Sequence, residues 1–187
     1  MIGAATIDVA RPGGAARLGE EVFEIADAGR SMSFAYRDVE QIRLSYRPRS
    51  LDYRVFRLDL RMRDGRSVTL HNVATSAGAL FKPHERWDKG YVLFARGLAE
   101  RVAAAAPDAR LLAGFPLWRF WPATAVGAAL CVFLVARAAT ALLAGDGMAA
   151  LIAVGGLAVA LVFLAPFLWR NRPRRFSGGA IPADVLP

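Results

Sequence analysis

Two hydrophobic patterns divide the chain: apolar positions recur every second residue between 22 and 70, and run almost unbroken between 122 and 169. Val22 to Ile25 reads as a short strand, with Asp27-Ala28-Gly29-Arg30 as the turn after it. Met32, Phe34 and Tyr36 then alternate with Ser31, Ser33 and Ala35, the pattern of a half-buried strand. Ile42, Leu44 and Tyr46 alternate with Arg43, Ser45 and Arg47 until Arg47-Pro48-Arg49-Ser50 breaks the run. The clearest hairpin follows, with Phe56, Leu58, Leu60 and Met62 on one face and Arg57, Asp59, Arg61 and Arg63 on the other. A two-residue Asp64-Gly65 turn would set Leu60 opposite Thr69 and Met62 opposite Ser67. A three-residue loop, Arg63-Asp64-Gly65 with Gly65 left-handed, pairs Leu60 with Val68 and Leu58 with Leu70, which keeps one face apolar. The second register is the expectation. It sets Arg57 beside His71 and Arg61 beside Ser67 on the opposite face.

Residues 74–88 carry no clear period, and Lys82-Pro83 marks irregular chain. Tyr91, Phe94, Ala95, Leu98 and Val102 then recur at helical spacing, with Asp88 as N-cap and Pro107 near the end. Five strands followed by one helix predict an α+β unit, an antiparallel β-sheet or partial barrel capped by its C-terminal helix.

The continuous pattern has a different meaning. Residues 122–143 contain one charge, Arg137, and residues 148–169 contain none. Twenty-two helical residues rise about 33 Å, enough for a hydrocarbon core of about 30 Å. Ala144-Gly145-Asp146-Gly147 leaves room only for a tight antiparallel turn, so the pair reads as a transmembrane helical hairpin. Arg119 precedes the hairpin, and Arg170, Arg172, Arg174 and Arg175 follow it, whereas the turn holds no Lys or Arg. The positive-inside rule therefore puts both termini in the cytoplasm, with Trp118, Trp121 and Trp169 as interfacial anchors on that side. Met1 to Ala16 lacks the basic start and long apolar run of a cleavable signal peptide. Arg137 lies near the outer turn, where it snorkels, meets Asp146, or contacts a partner's helix. Gly127 with Cys131, and Gly155 and Gly156 with Ala160, offer smooth surfaces for helix contact. Pro166 is tolerated near the end of the second helix.

Composition sharpens this picture in three places. Basic residues outnumber acidic ones 24 to 16, and all but Lys82 and Lys89 are arginine, a bias that a GC-rich genome explains as well as function does. A single Cys131 excludes an internal disulfide framework, and two histidines, His71 and His84, leave no multi-His metal cluster. No G-x-S-x-G, Walker loop, G-x-G-x-x-G or H-E-x-x-H motif is present. Cys131 sits in apolar surroundings and His84 beside Glu85 in a loop, so neither suggests catalysis. The remaining signal is the set Arg43, Arg47, Arg49, Arg54, Arg57, Arg61, Arg63 and Arg66. It reads as a solvated face interspersed with Asp52, Asp59 and Asp64, or as a docking face for anionic lipid or an acidic subunit. Nucleic-acid binding would need an aromatic platform or a groove-reading helix, and neither is evident.

The run SMSFAYRDVEQIRLSYRP, the hairpin RLDLRMRDGRSVTL and the helix YVLFARGLAERV resemble the bacterial pleckstrin-homology-like domains found on small membrane proteins. The end of the chain, NRPRRFSGGAIPADVLP, is similar to that of proteobacterial two-helix membrane proteins of the same layout. The resemblance implies a PH-like fold and no enzyme activity. The strand count falls short of a full PH domain, and Asp27-Ala28-Gly29-Arg30 is not the basic loop with which phosphoinositide-binding members hold headgroups. The expected organisation is an N-terminal segment (1–16), a cytoplasmic PH-like domain (17–113), a transmembrane hairpin (114–170) and a basic cytoplasmic tail (171–187). The expected role is a non-enzymatic interaction protein of the bacterial inner membrane, an accessory or assembly component of a larger complex, without cofactor or metal. A lipid-binding or sensing module is the other reading. Its expected partners are membrane lipid and other integral membrane subunits, and the candidate contact residues are Arg57, Arg61, His71, Arg137, Gly155, Gly156, Arg172, Arg174 and Arg175.

The charge asymmetry has a direct test. A periplasm-active reporter inserted at Gly145 should be active and one fused after Pro187 silent; the reverse pattern would overturn the topology.

Overall fold

Alternating apolar positions fold as strands whose pairings follow the apolar rows. The computed structural model describes residues 8–11, 14–27, 30–48, 54–72 and 88–187. The first sheet joins β1 (Asp8–Arg11), β2 (Gly14–Leu18), β3 (Val22–Asp27) and β4 (Arg30–Ala35) in that order. Phe23 faces Phe34 across β3 and β4, and their stacked rings lie 5.3 Å apart. A 3-10 turn at Tyr36–Asp38 carries the chain into the second sheet, built from β5 (Val39–Pro48), β6 (Arg54–Met62), β7 (Ser67–His71), β8 (Arg110–Ala113) and β9 (Arg174–Arg175). Its order is β7-β6-β5-β8-β9.

The β6–β7 register is the one the apolar faces require. Leu60 pairs with Val68, Leu58 with Leu70, Arg57 with His71 and Arg61 with Ser67. Gly65 closes the three-residue loop with φ +86°, a conformation that L side chains resist. The helix α1 (Asp88–Ala105) buries Tyr91, Phe94, Ala95, Leu98 and Val102, the predicted stripe, together with Ala99. Asp88 is its first residue. The core is one cluster shared by both sheets and α1.

Several expectations change. Asp8–Arg11 and Gly14–Leu18 form two strands, so the N-terminal segment set apart at 1–16 contributes to the first sheet. The second sheet is not purely antiparallel: β8 runs parallel to β5, with Leu111 beside Ile42 and Ala113 beside Leu44. The intervening α1 supplies the crossover that a parallel pair needs. Nine strands are present among the described residues, where five were expected. The segment 171–187, expected as a basic cytoplasmic tail, is largely built into the fold. Leu112 and Ala113 pair with Arg175 and Arg174, and Ile181, Val185 and Leu186 join the core because apolar side chains gain by leaving water. The turn centre Ala28-Gly29, the break at Arg49-Ser50, Asp52, Lys82-Pro83 and His84 with Glu85 lie outside the described residues.

The chain separates into two compact units, one ending at Gly114 and resumed at Arg174–Pro187, the other Phe115–Pro173. The second unit is an antiparallel pair, α2 (Leu117–Leu143) and α3 (Gly147–Asn171), both long and apolar enough to cross a membrane. α2 starts before Pro122, the expected first residue. Pro122 has no N–H to donate, but the turn before it closes without one, with Arg119 N and Phe120 N bonded to Pro116 O at 2.9 and 3.0 Å. Gly145 turns the chain with φ +73°, and the Asp146 carboxylate caps α3 by accepting from Ala149 N at 3.0 Å.

The face assignment predicts unequal consequences of neighbouring substitutions. Leu58→Ala should cost the full chain about 2–5 kcal/mol, as buried leucines do. Arg61→Gln, on the solvated face, should cost less than about 1 kcal/mol. Val185→Asp should destabilise on the scale of Leu58→Ala, since Val185 is 0% exposed. Thermal melts followed by near-UV circular dichroism in detergent would check all three.

Candidate interaction surfaces

Strand register places Arg57 and Arg61 of β6 on one face, with Asp59 between them, and gives them neighbours. Asp59 lies between Arg43 and Thr69 in the pairing. Its carboxylate accepts from Arg57 Nε at 2.7 Å and from Thr69 Oγ1 at 2.6 Å. Arg57 also donates to Thr69 Oγ1 at 3.2 Å. Arg61 Nε lies 3.1 Å from Glu40 Oε2, and both side chains are exposed. Arg63 Nη2 donates to both oxygens of Asp108 at 2.6 Å, and Arg66 pairs with Asp64 at 2.6 Å while its guanidinium covers the Phe34 ring. Arg43 donates to Gly114 O at 3.2 Å; burial pushes its pKa down, and Asp59 opposes that. The predicted pair Arg57 and His71 is adjacent, with His71 half-buried. Arg49 lies outside the described residues. The sheet face is therefore less a basic patch than a series of local ion pairs, each contributing little at the surface.

The hairpin residues also separate. Arg137 is exposed on α2, and among the described residues no ion pair joins it to Asp146, whose carboxylate caps α3 instead. Gly156 faces α2, since a Cβ there would lie 3.5 Å from Leu134, whereas nothing approaches Gly155 within 4 Å. The smooth strip thus splits into one inner and one outer position. At Gly127 the helices pack closely: a Cβ would fall 2.3 Å from the Leu164 side chain. Arg174 pairs with the half-buried Asp184, and Arg175 is exposed on β9. Arg172 stays outside that strand and stacks on Trp169, 4.1 Å from the ring centre.

At the base of the hairpin the two helix ends are joined. Phe115 N donates to Asn171 O at 2.9 Å, and the Phe115 and Phe167 rings meet edge-on at 5.5 Å. Asn171 is fully buried and donates from Nδ2 to Phe167 O at 3.1 Å. Arg119 lies over Trp118 at 4.5 Å, mirroring Arg172 over Trp169.

No family model, curated protein or solved structure matches the chain.

Two sites were not foreseen from sequence. Asn72 is fully buried; its Oδ1 accepts from Phe56 N at 2.8 Å and its Nδ2 donates to Asp88 Oδ1 at 2.9 Å, tying the end of β7 to the start of α1. An open cleft of about 570 Å³ lies between α1 and the turn at Tyr36, lined by Glu20, Glu21, Arg37 and Arg101 among others. Tyr36 donates to Gly19 O at 2.9 Å, and Arg101 Nη1 reaches the same oxygen at 2.8 Å. Burial raises the Tyr36 pKa, while Arg101 pulls it back. The cleft mixes carboxylates with guanidiniums and selects no one charge. Its only sequence signal was a tyrosine and an arginine 65 positions apart. Among the described residues no three His, Cys, Asp or Glu side chains converge as metal ligands would.

The ion pairs set a pH dependence. The Arg63 guanidinium holds Asp108 below the usual carboxylate range, and the Arg66 backbone N–H, then its guanidinium, do the same for Asp64. A carboxyl whose pKa is lower folded than unfolded stabilises the fold above its unfolded pKa of about 3.9 and loses that contribution as pH falls through the folded value. The melting temperature of the full chain should therefore be higher than that of Asp108→Asn at pH 6, with the gap closing toward pH 2. A gap that persists in acid would show that the pair is not its source.

Proposed function

We propose that the chain is a non-enzymatic, membrane-anchored interaction protein, an accessory or assembly component of a bacterial inner-membrane complex. The observation that carries this reading is the outer surface of the hairpin. Leu151 and Ile152, both 69% exposed, stand for two long helices that touch each other along one narrow seam. Apolar side chains that two helices cannot cover are matched by lipid or by further helices. The Trp and Arg residues at one end of the hairpin, with none at the turn, favour a cytoplasmic base. A PH-like assignment for the β unit draws support from antiparallel strands followed by a helix with an apolar stripe, while the parallel β5–β8 pair departs from the expected pattern. Lipid binding through the arginine face is the weaker reading, because Arg57, Arg61, Arg63 and Arg66 each have a carboxylate within 3.1 Å.

Photocrosslinking in cells tests the accessory role. A photoreactive residue at Gly155 or Ile152 should yield one discrete adduct with another integral membrane protein. The same probe at Leu134 or Leu164, inside the seam, should yield none. Recovery of a lone monomer, with no adduct from either outer position, would overturn the reading.

A further inference from the structure

The base of the hairpin carries cations of a different kind from those of the sheet. Arg119 and Arg172 are exposed, and each guanidinium lies against an indole, at 4.5 Å over Trp118 and 4.1 Å over Trp169. Trp118 and Trp169 are themselves 68% and 60% exposed. The Phe115–Asn171 hydrogen bond and the Phe115–Phe167 contact join the two helix ends, so the couples sit at the same end of the hairpin. Between Phe115 and Pro173 the only acidic residue is Asp146, at the opposite end and engaged as the cap of α3. Arg119 and Arg172 therefore have no carboxylate of their own unit beside them, unlike the carboxylate-matched arginines of the sheet.

A guanidinium held over an indole by cation–π attraction still has a fork of N–H donors to offer. That fork matches two oxygens of a phosphate. Held against a rigid indole, the side chain has less freedom to lose when it binds. We propose that the base of the hairpin binds the phosphodiester headgroups of anionic phospholipids through Arg119 and Arg172, each oriented by its tryptophan. The inference rests on the reading of the hairpin as membrane-spanning. Selectivity against zwitterionic headgroups has a physical source. A headgroup ammonium needs an aromatic face or a carboxylate, and here each indole already holds a guanidinium while no carboxylate is nearby within the unit.

The test uses the full chain in phosphatidylcholine vesicles, with brominated phosphatidylglycerol or brominated phosphatidylcholine as the quencher of tryptophan fluorescence at equal mole fraction. Insertion is checked separately by flotation after carbonate extraction. The inserted chain should associate with the anionic quencher more strongly, by about fivefold for each arginine near the surface. The double substitution Arg119→Gln with Arg172→Gln should lower that preference by about fivefold for each arginine removed while the chain still floats, leaving the part due to the other arginines. Replacing both by lysine should leave an intermediate preference, since charge remains and the stacked fork is lost. An inserted chain that quenches equally with both lipids, or a glutamine variant that keeps the preference undiminished, overturns the inference and leaves the membrane reading standing. A chain that enters no vesicle overturns both.

Discussion

A strand buried on one face can slip only by two residues, because a slip of one turns every side chain to the wrong side. In the second sheet that constraint acts across four strands at once. Leu111, Ile42, Leu60 and Val68 lie in one row, and Ala113, Leu44, Leu58 and Leu70 in the next. With the apolar rows in place, the polar face has no freedom left. Arg43, Asp59 and Thr69 must be neighbours, as must Ser45, Arg57 and His71. The hydrogen bonds from Arg57 and Thr69 to Asp59 follow from core packing on the other side of the sheet. A face that looks like a device for binding anions is first a by-product of hydrophobic registration.

The same economy governs how each unit is closed. The chain leaves the β unit at the end of β8 and returns as β9, and the two strands pair. Just beyond them, Phe115 and Asn171 join the ends of α2 and α3. The residues after β9 then run into the core through Ile181, Val185 and Leu186, with Arg174 and Asp184 paired beside them. The last part of the chain is thus structural material for the first unit, completed only after the helices have been made. Charge within this stretch divides accordingly: Arg174 is spent inside the fold, and Arg172, one step outside it, remains against its indole.

Much of this was legible in the sequence, and the reason is locality. Period-two alternation identified the strands from Val22 to His71, and polarity chose between two hairpin registers. The stripe Tyr91, Phe94, Ala95, Leu98 and Val102 is one face of one helix, and two apolar helical lengths, with Arg137 their one charge and a glycine turn between them, read as an antiparallel pair. Each of these depends on residues a few positions apart, where backbone geometry alone fixes which side chains share a face.

What tertiary structure decided were the partners brought together over long separations. Asp108 reaches Arg63 from 45 positions away, and Arg101 reaches Tyr36 across 65. Charge counting could not assign such pairs, so the arginine face looked more basic than it is. Asn72 looked like any polar residue after a strand until the fold placed an unpaired Phe56 N–H and Asp88 on either side of it. The parallel strand β8, the strands β1 and β2 and the burial of the final residues were hidden for the same reason: these short segments carry too few residues to show a period. They acquire structure from the sheet edge or core that receives them, where an unmet backbone group or exposed apolar surface is costly. The sequence by itself determined which faces are apolar and which segments are long enough to cross a bilayer; only the tertiary structure decided which charges are already answered, because an ion pair is a property of distance in space.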